Sequence, residues 1–195
     1  MDCSTMRLFL SDENIKSHFD YINKQKLRFS ILQKSCSELN SCCYKEIYRK
    51  KLPFDIKKQA LTLICDIKSH ELFFNSFSQP RYICKNIKRY FSSQDRLIYE
   101  ILSLAREVDY GFIFVCLDKT GKPIICLGEN KTDIFIKYEP ILAIDLYEHV
   151  YFKDYGFNKE KYLSNALGYL NLKILDDRLL SLDNQGKKGY NHTVN

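Results

Sequence analysis

A chain of 195 residues with 45% hydrophobic and 28% charged side chains is long enough to bury a real core and has the balance of a soluble globular protein. No apolar run nears the roughly eighteen residues that a membrane span needs, and the opening MDCSTMRLFLSDEN carries acids where a secretory leader is apolar; a cytoplasmic protein is expected, unless a transit peptide has been trimmed. The net charge of +6 comes from lysines spread along the chain rather than gathered in a block, which would help any anion approach and argues against a dedicated nucleic-acid or membrane partner.

From Ser11 to about Tyr44 apolar residues recur at helical spacing, including Ile15, Phe19, Ile22, Phe29 and Leu32. Ser11 with Asn14 gives a loose start signal. Pro53 marks a break, and Asp55 to about Phe77 carries a second stripe through Ile56, Ala60, Leu63, Ile67 and Phe73. SQPRY at 78–82 ends it, and shorter helices are expected around 83–91 and 94–107. The period then changes. YGFIFVCL at 110–117, the turn DKTGKP and IICLG at 124–128 read as a β-hairpin, and ILAIDLY at 141–147, introduced by Pro140, reads as a third strand. Helical pattern returns from about Lys159 to Leu182, and QGKKGYNHTVN reads as a loose tail. The layout is α+β: a helical hairpin domain over residues 1–82 packed on an α/β domain over 83–195 with a three-stranded antiparallel sheet.

Eight cysteines show no C-x-x-C spacing, and Cys65, Cys116 and Cys126 lie in apolar segments, so buried free thiols are expected rather than a disulfide or zinc framework. The four histidines are His18, His70, His149 and His192. His18 lies early in the first long helix, His70 late in the second, and His149 just after the third strand, which also holds Asp145. Three imidazoles and one carboxylate would suit iron, manganese or zinc rather than calcium. Taken singly, each histidine reads more readily as a satisfied structural residue, and spacing alone leaves both readings open.

The residues around them resemble a known family. D-L-Y-E-H-V-Y at 145–151 resembles the signature of the iron/manganese superoxide dismutases, with Tyr147 where that family usually has Trp. S-H-E-L-F-F at 69–74 is similar to its Asn-His motif before paired aromatics, with Ser69 replacing Asn, and L-S-D-E-N-I-K-S-H at 10–18 is similar to the segment that delivers its first histidine. G-F-I-F-V at 111–115, Ser92-Ser93 in a Phe-Gly-Ser position, and Asn171-Leu172 followed by Arg178 extend the likeness over about residues 10 to 180. The resemblance implies one iron or manganese ion per subunit held by His18, His70, Asp145 and His149. It implies a superoxide substrate, disproportionated to oxygen and hydrogen peroxide, and a homodimer bridged by Glu148.

The surroundings depart from that family's pattern. Lys26 stands where the family has a gateway tyrosine, Ile22 where it has a histidine and Phe152 where it has a partner tyrosine. Asp66 and Lys131 occupy the two places from which its tuning glutamine comes. An Asp66–Lys131 pair would replace the glutamine's hydrogen bond, so Lys26, Asp66 and Lys131 are the residues expected to act on catalysis beyond the ligands. The alternative reading is a non-catalytic metal-binding or structural protein on the same fold.

Overall fold

The computed structural model describes residues 3–40, 43–79 and 82–190, with the backbone alone for 185–190. Cys42, Pro80, Arg81 and His192 lie outside the described residues.

Helix α1 (Asp12–Ser35) opens where Ser11 accepts a hydrogen bond from the Asn14 amide, an N-cap supported by Asp12 and Glu13 in the first turn. Its buried face is Ile15, His18, Ile22, Gln25, Phe29 and Leu32, an alternation of three and four steps that puts one imidazole on the core-facing stripe. The helix stops before Tyr44: Cys36 is extended, a 3-10 turn follows at Ser37–Leu39, and the short α2 (Tyr44–Arg49) forms separately. Helix α3 (Phe54–Asn75) starts after Pro53 and buries Ala60, Leu63, Ile67, His70 and Phe74 at the same spacing. α1 and α3 form the expected hairpin, each contributing one buried histidine to the shared seam.

Helices α4 (Lys88–Phe91) and α5 (Gln94–Arg106) follow, the latter capped by Ser93 and facing the core with Leu97, Ile101 and Ala105. The sheet comprises β1 (Phe112–Leu117), β2 (Pro123–Leu127) and β3 (Glu139–Asp145), antiparallel in the order β2-β1-β3. All six β1 residues are buried, because the central strand is covered on both faces. β3 begins two residues earlier than the sequence suggests, so Pro140 lies within it. The β1–β3 register slips between Val115 and Cys116, where Cys116 meets Pro140; a bulge on an edge strand accommodates a residue that cannot donate to the ladder.

Two helices unforeseen in the sequence flank β3: α6 (Lys131–Lys137), capped by Asn130, and α7 (Glu148–Tyr155). Helices α8 (Lys159–Leu167) and α9 (Leu172–Tyr190) close the chain, so helix continues beyond Leu182 where a loose tail is expected. Among the described cysteines all are free thiols, with Cys36, Cys65, Cys84 and Cys116 buried. No described helix is long and apolar enough to cross a membrane.

Candidate metal centre

The fold brings His18 from α1, His70 from α3, Asp145 from the end of β3 and His149 from the first turn of α7 together, one potential ligand atom from each within 4.8 Å of all the others. The geometry is convergent. Asp145 Oδ2 lies 3.5 Å from His18 Nε2 and 3.7 Å from both His70 Nε2 and His149 Nε2. These separations exceed hydrogen-bonding distance, and His18 Nε2, His70 Nε2 and Asp145 Oδ2 are buried with no hydrogen-bond partner. Leaving such an atom unpaired costs about 1–3 kcal/mol each, so three of them aimed at one point fit a site that a cation would satisfy.

Two of the four groups are held by their other ends. His70 Nδ1 is 2.8 Å from the Asp66 carbonyl oxygen, which anchors it as the N–H and leaves Nε2 to ligate. Asp145 Oδ1 accepts from the Tyr147 amide at 2.9 Å, and Tyr162 donates to the Asp145 carbonyl at 2.9 Å. Burial pushes the Asp145 carboxyl up, but His18, His70 and His149 outweigh it and hold the group below the usual carboxylate range. Burial also depresses the His149 imidazole, against the pull of Asp145, and the neighbouring histidines add to the depression; a neutral imidazole is the form that ligates. Apolar rings pack the inner side, with Phe73 and Phe74 against His18 and Phe112 edge-on to His70.

Outside the quartet, the Lys131 ammonium bonds Asp66 and lies 4.9 Å from the Phe112 ring centroid and 5.2 Å from that of Tyr147. The expected Asp66–Lys131 pair therefore forms, and Asn130 positions it by capping the helix on which Lys131 is the first residue. Lys26 does not join it; its half-exposed ammonium pairs with Glu71 at 2.8 Å. Tyr21, passed over in the sequence, does join. Its hydroxyl donates to Asp66 Oδ2 at 2.9 Å and its ring lies 5.0 Å from that of His70. Burial, reinforced by Asp66, pushes its phenol up to about 12. The available signal was its place three residues after His18 on one helix face. Glu148 is exposed beside His149, whose own side chain is 46% accessible.

Comparison with known proteins follows the same lines. Residues 79–178 match the family described as "Iron/manganese superoxide dismutases, C-terminal domain". The "Superoxide dismutase [Fe] 1, chloroplastic" of Oryza sativa subsp. japonica is 26% identical over 125 residues, covering 52% of this chain and 32% of the rice protein. The chain thus spans about a third of the length of that relative. With the family match covering just over half of its 195 residues, and with the α+β architecture in place, the chain belongs to the iron/manganese superoxide dismutase family.

Proposed function

We propose that the chain is a metal-dependent superoxide dismutase that binds one iron or manganese ion per subunit through His18, His70, Asp145 and His149. The observation that carries this reading is the convergence of three Nε2 atoms on one buried carboxylate oxygen, three of these four atoms lacking any other partner. The hairpin domain of residues 1–82 would supply two ligands and the domain of residues 83–195 the other two. Bound iron or manganese would supply one-electron exchange, taking an electron from one superoxide and returning it to the next.

The chain's own residues do the rest. Neutral imidazoles and a single carboxylate leave the site with net positive charge in either metal oxidation state, which favours a small anion. The Asp66 carbonyl fixes the His70 ring. Tyr21, Asp66 and Lys131 form a hydrogen-bonded chain beside the ligands, in which Asp66 and Lys131 together replace one neutral amide. Half-exposed His149 and Tyr21 border the open side of the cluster, the direction from which superoxide would arrive. Glu148 has no partner among the described residues and would reach His149 of a second copy.

Metal analysis on purified protein, paired with a superoxide-consumption assay on iron- and manganese-reconstituted samples, tests this. Near-stoichiometric metal and turnover that both disappear in His149→Ala are expected. Stoichiometric metal without turnover would favour a metal-binding protein on the same fold, a reading supported by the charged pair at the glutamine positions. Absence of metal binding would overturn both.

A further inference from the structure

The strands that end at the histidine cluster border a second concavity at their other end. Leu117 closes β1 and Glu139 opens β3, opposite each other in the sheet. The six steps from Glu139 to Asp145 put them roughly 20 Å from the cluster. There a cleft of about 500 Å³ opens between α2, the β1–β2 turn and the C-terminal end of α6, a size that suits a small organic ligand.

The cleft is lined with cations from three separate elements: Lys45 and Arg49 on α2, Lys119 on the turn, and Lys137 on α6. Its two carboxylates are engaged elsewhere. Asp118 Oδ1 accepts from the Thr120 amide at 2.8 Å, the Thr120 hydroxyl at 2.6 Å and the Lys122 amide at 3.0 Å, closing the turn. Glu139 receives Arg178 through both oxygens, at 2.8 and 3.0 Å. Lys137 makes a surface pair with Asp133. Lys45, Arg49 and Lys119 have no carboxylate partner among the described residues. Beside them stand Tyr138 and the half-exposed Tyr48, with the Lys57 ammonium 5.6 Å from the Tyr48 ring centroid.

We propose that this cleft binds a nucleoside phosphate, either free or as one unit of a single strand. Arg49, Lys45 and Lys119 hold the phosphates by charge-assisted hydrogen bonds, and the base stacks on Tyr48, whose exposed ring a simple anion would leave uncovered. The sequence scatters these residues from position 45 to 137, so only the fold gathers them into a patch. The site is independent of the metal centre and of any dismutase activity.

Calorimetric titration of the full chain tests it with four probes: adenosine triphosphate, inorganic triphosphate, adenosine, and a short single-stranded oligonucleotide. Adenosine triphosphate is expected to bind more tightly than either inorganic triphosphate or adenosine. Reversing two exposed cations together, Arg49→Glu with Lys119→Glu, is expected to weaken it by at least about tenfold. Tyr48→Ala is expected to reduce its affinity to that of inorganic triphosphate. Lys161→Glu, on the distant α8, should leave it unchanged, as should metal content in every variant. Tighter binding of the oligonucleotide would assign the ligand to a strand, and equal or weaker binding would assign it to a free nucleotide. The proposal is overturned by absence of binding, by equal affinity for both triphosphates, or by an equal loss in Lys161→Glu, which would reveal a net-charge effect.

Discussion

Removing the Lys131 ammonium would leave the Asp66 carboxylate almost buried, with Tyr21 as its one remaining donor among the side chains described around it. Side-chain exposures of 17% and 10% place this pair where breaking it costs more than the pair contributes. Lys131→Met is therefore expected to destabilise the metal-free protein by about 2–3 kcal/mol. Adding Asp66→Asn should recover most of that loss, because a neutral amide suits the same surroundings. Urea midpoints of the four proteins in this cycle decide it: additive losses would mean that the two charges do not interact. A separate residue carries backbone strain. Ser92 holds φ at 63° with ψ at −38°, a region that L side chains avoid, and in the resemblance it stands at the family's glycine. Ser92→Gly is expected to raise stability by about 1 kcal/mol, since relief of the steric penalty exceeds the added backbone entropy. An unchanged or lower thermal midpoint would show that the turn tolerates the serine without strain.

At the scale of elements, the seam between α1 and α7 decides whether His18 and His149 meet. Asp154, on the last turn of α7, accepts from the Ser11 amide at 2.9 Å and from Asn14 Nδ2 at 3.0 Å, so it caps α1 from another helix. Burial pushes the Asp154 carboxyl up, but Ser11, Asn14 and Lys153 outweigh it and hold the group below its usual range. A depressed carboxyl favours the folded state above its ordinary value near 3.9, and the contribution disappears as pH falls through the lower folded value. Asp154→Asn is therefore expected to cost about 1 kcal/mol at neutral pH, with the difference from the parent shrinking at low pH. A constant gap across pH in urea unfolding would remove the carboxylate from this role. The same seam shows what was legible. The long helices could be read because each repeats its apolar stripe over five or more turns, and the histidines lie on those stripes. Helix α6 offers Ile134, Phe135 and Ile136 in one run of seven residues, too short for a helical period to show. Helix α7 begins two residues after β3, and the strand expected over 141–147 runs up to its N-cap Tyr147, leaving an eight-residue helix with too little apolar repeat to stand out.

For the whole molecule, the gathering of His18, His70, Asp145 and His149 at one place was legible because motif order and stripe position agreed. Tyr21 was not, since its role depends on the angle between α1 and α3, which one sequence does not contain. Lys26 illustrates the reverse: the resemblance sets it at the family's gateway position, but its half-exposed ammonium pairs with Glu71 and does not join the cluster. The largest feature left open is the face around His149. A proposed metal ligand with nearly half of its side chain accessible sits beside Glu148, which is unpaired among the described residues. Phe152, one turn further along α7, is 47% exposed and packs edge-on against Phe157, which is 84% exposed. An exposed acid next to a half-covered imidazole, near two uncovered aromatic rings, would suit the proposed two-fold pair: each Glu148 would meet the other copy's His149 while the rings are buried together. Phe157→Asp puts a charge where the rings would meet and touches no proposed ligand. It is expected to convert a dimer into a monomer in sedimentation, with the helical signal in circular dichroism unchanged. Glu148→Ala should weaken association less, because it removes a polar contact and leaves the apolar one. If the second copy completes the site, both variants should release metal faster to a chelator, in the order of their effect on association. A parent protein that sediments as a monomer at all concentrations would assign this face to something other than a second copy of the chain.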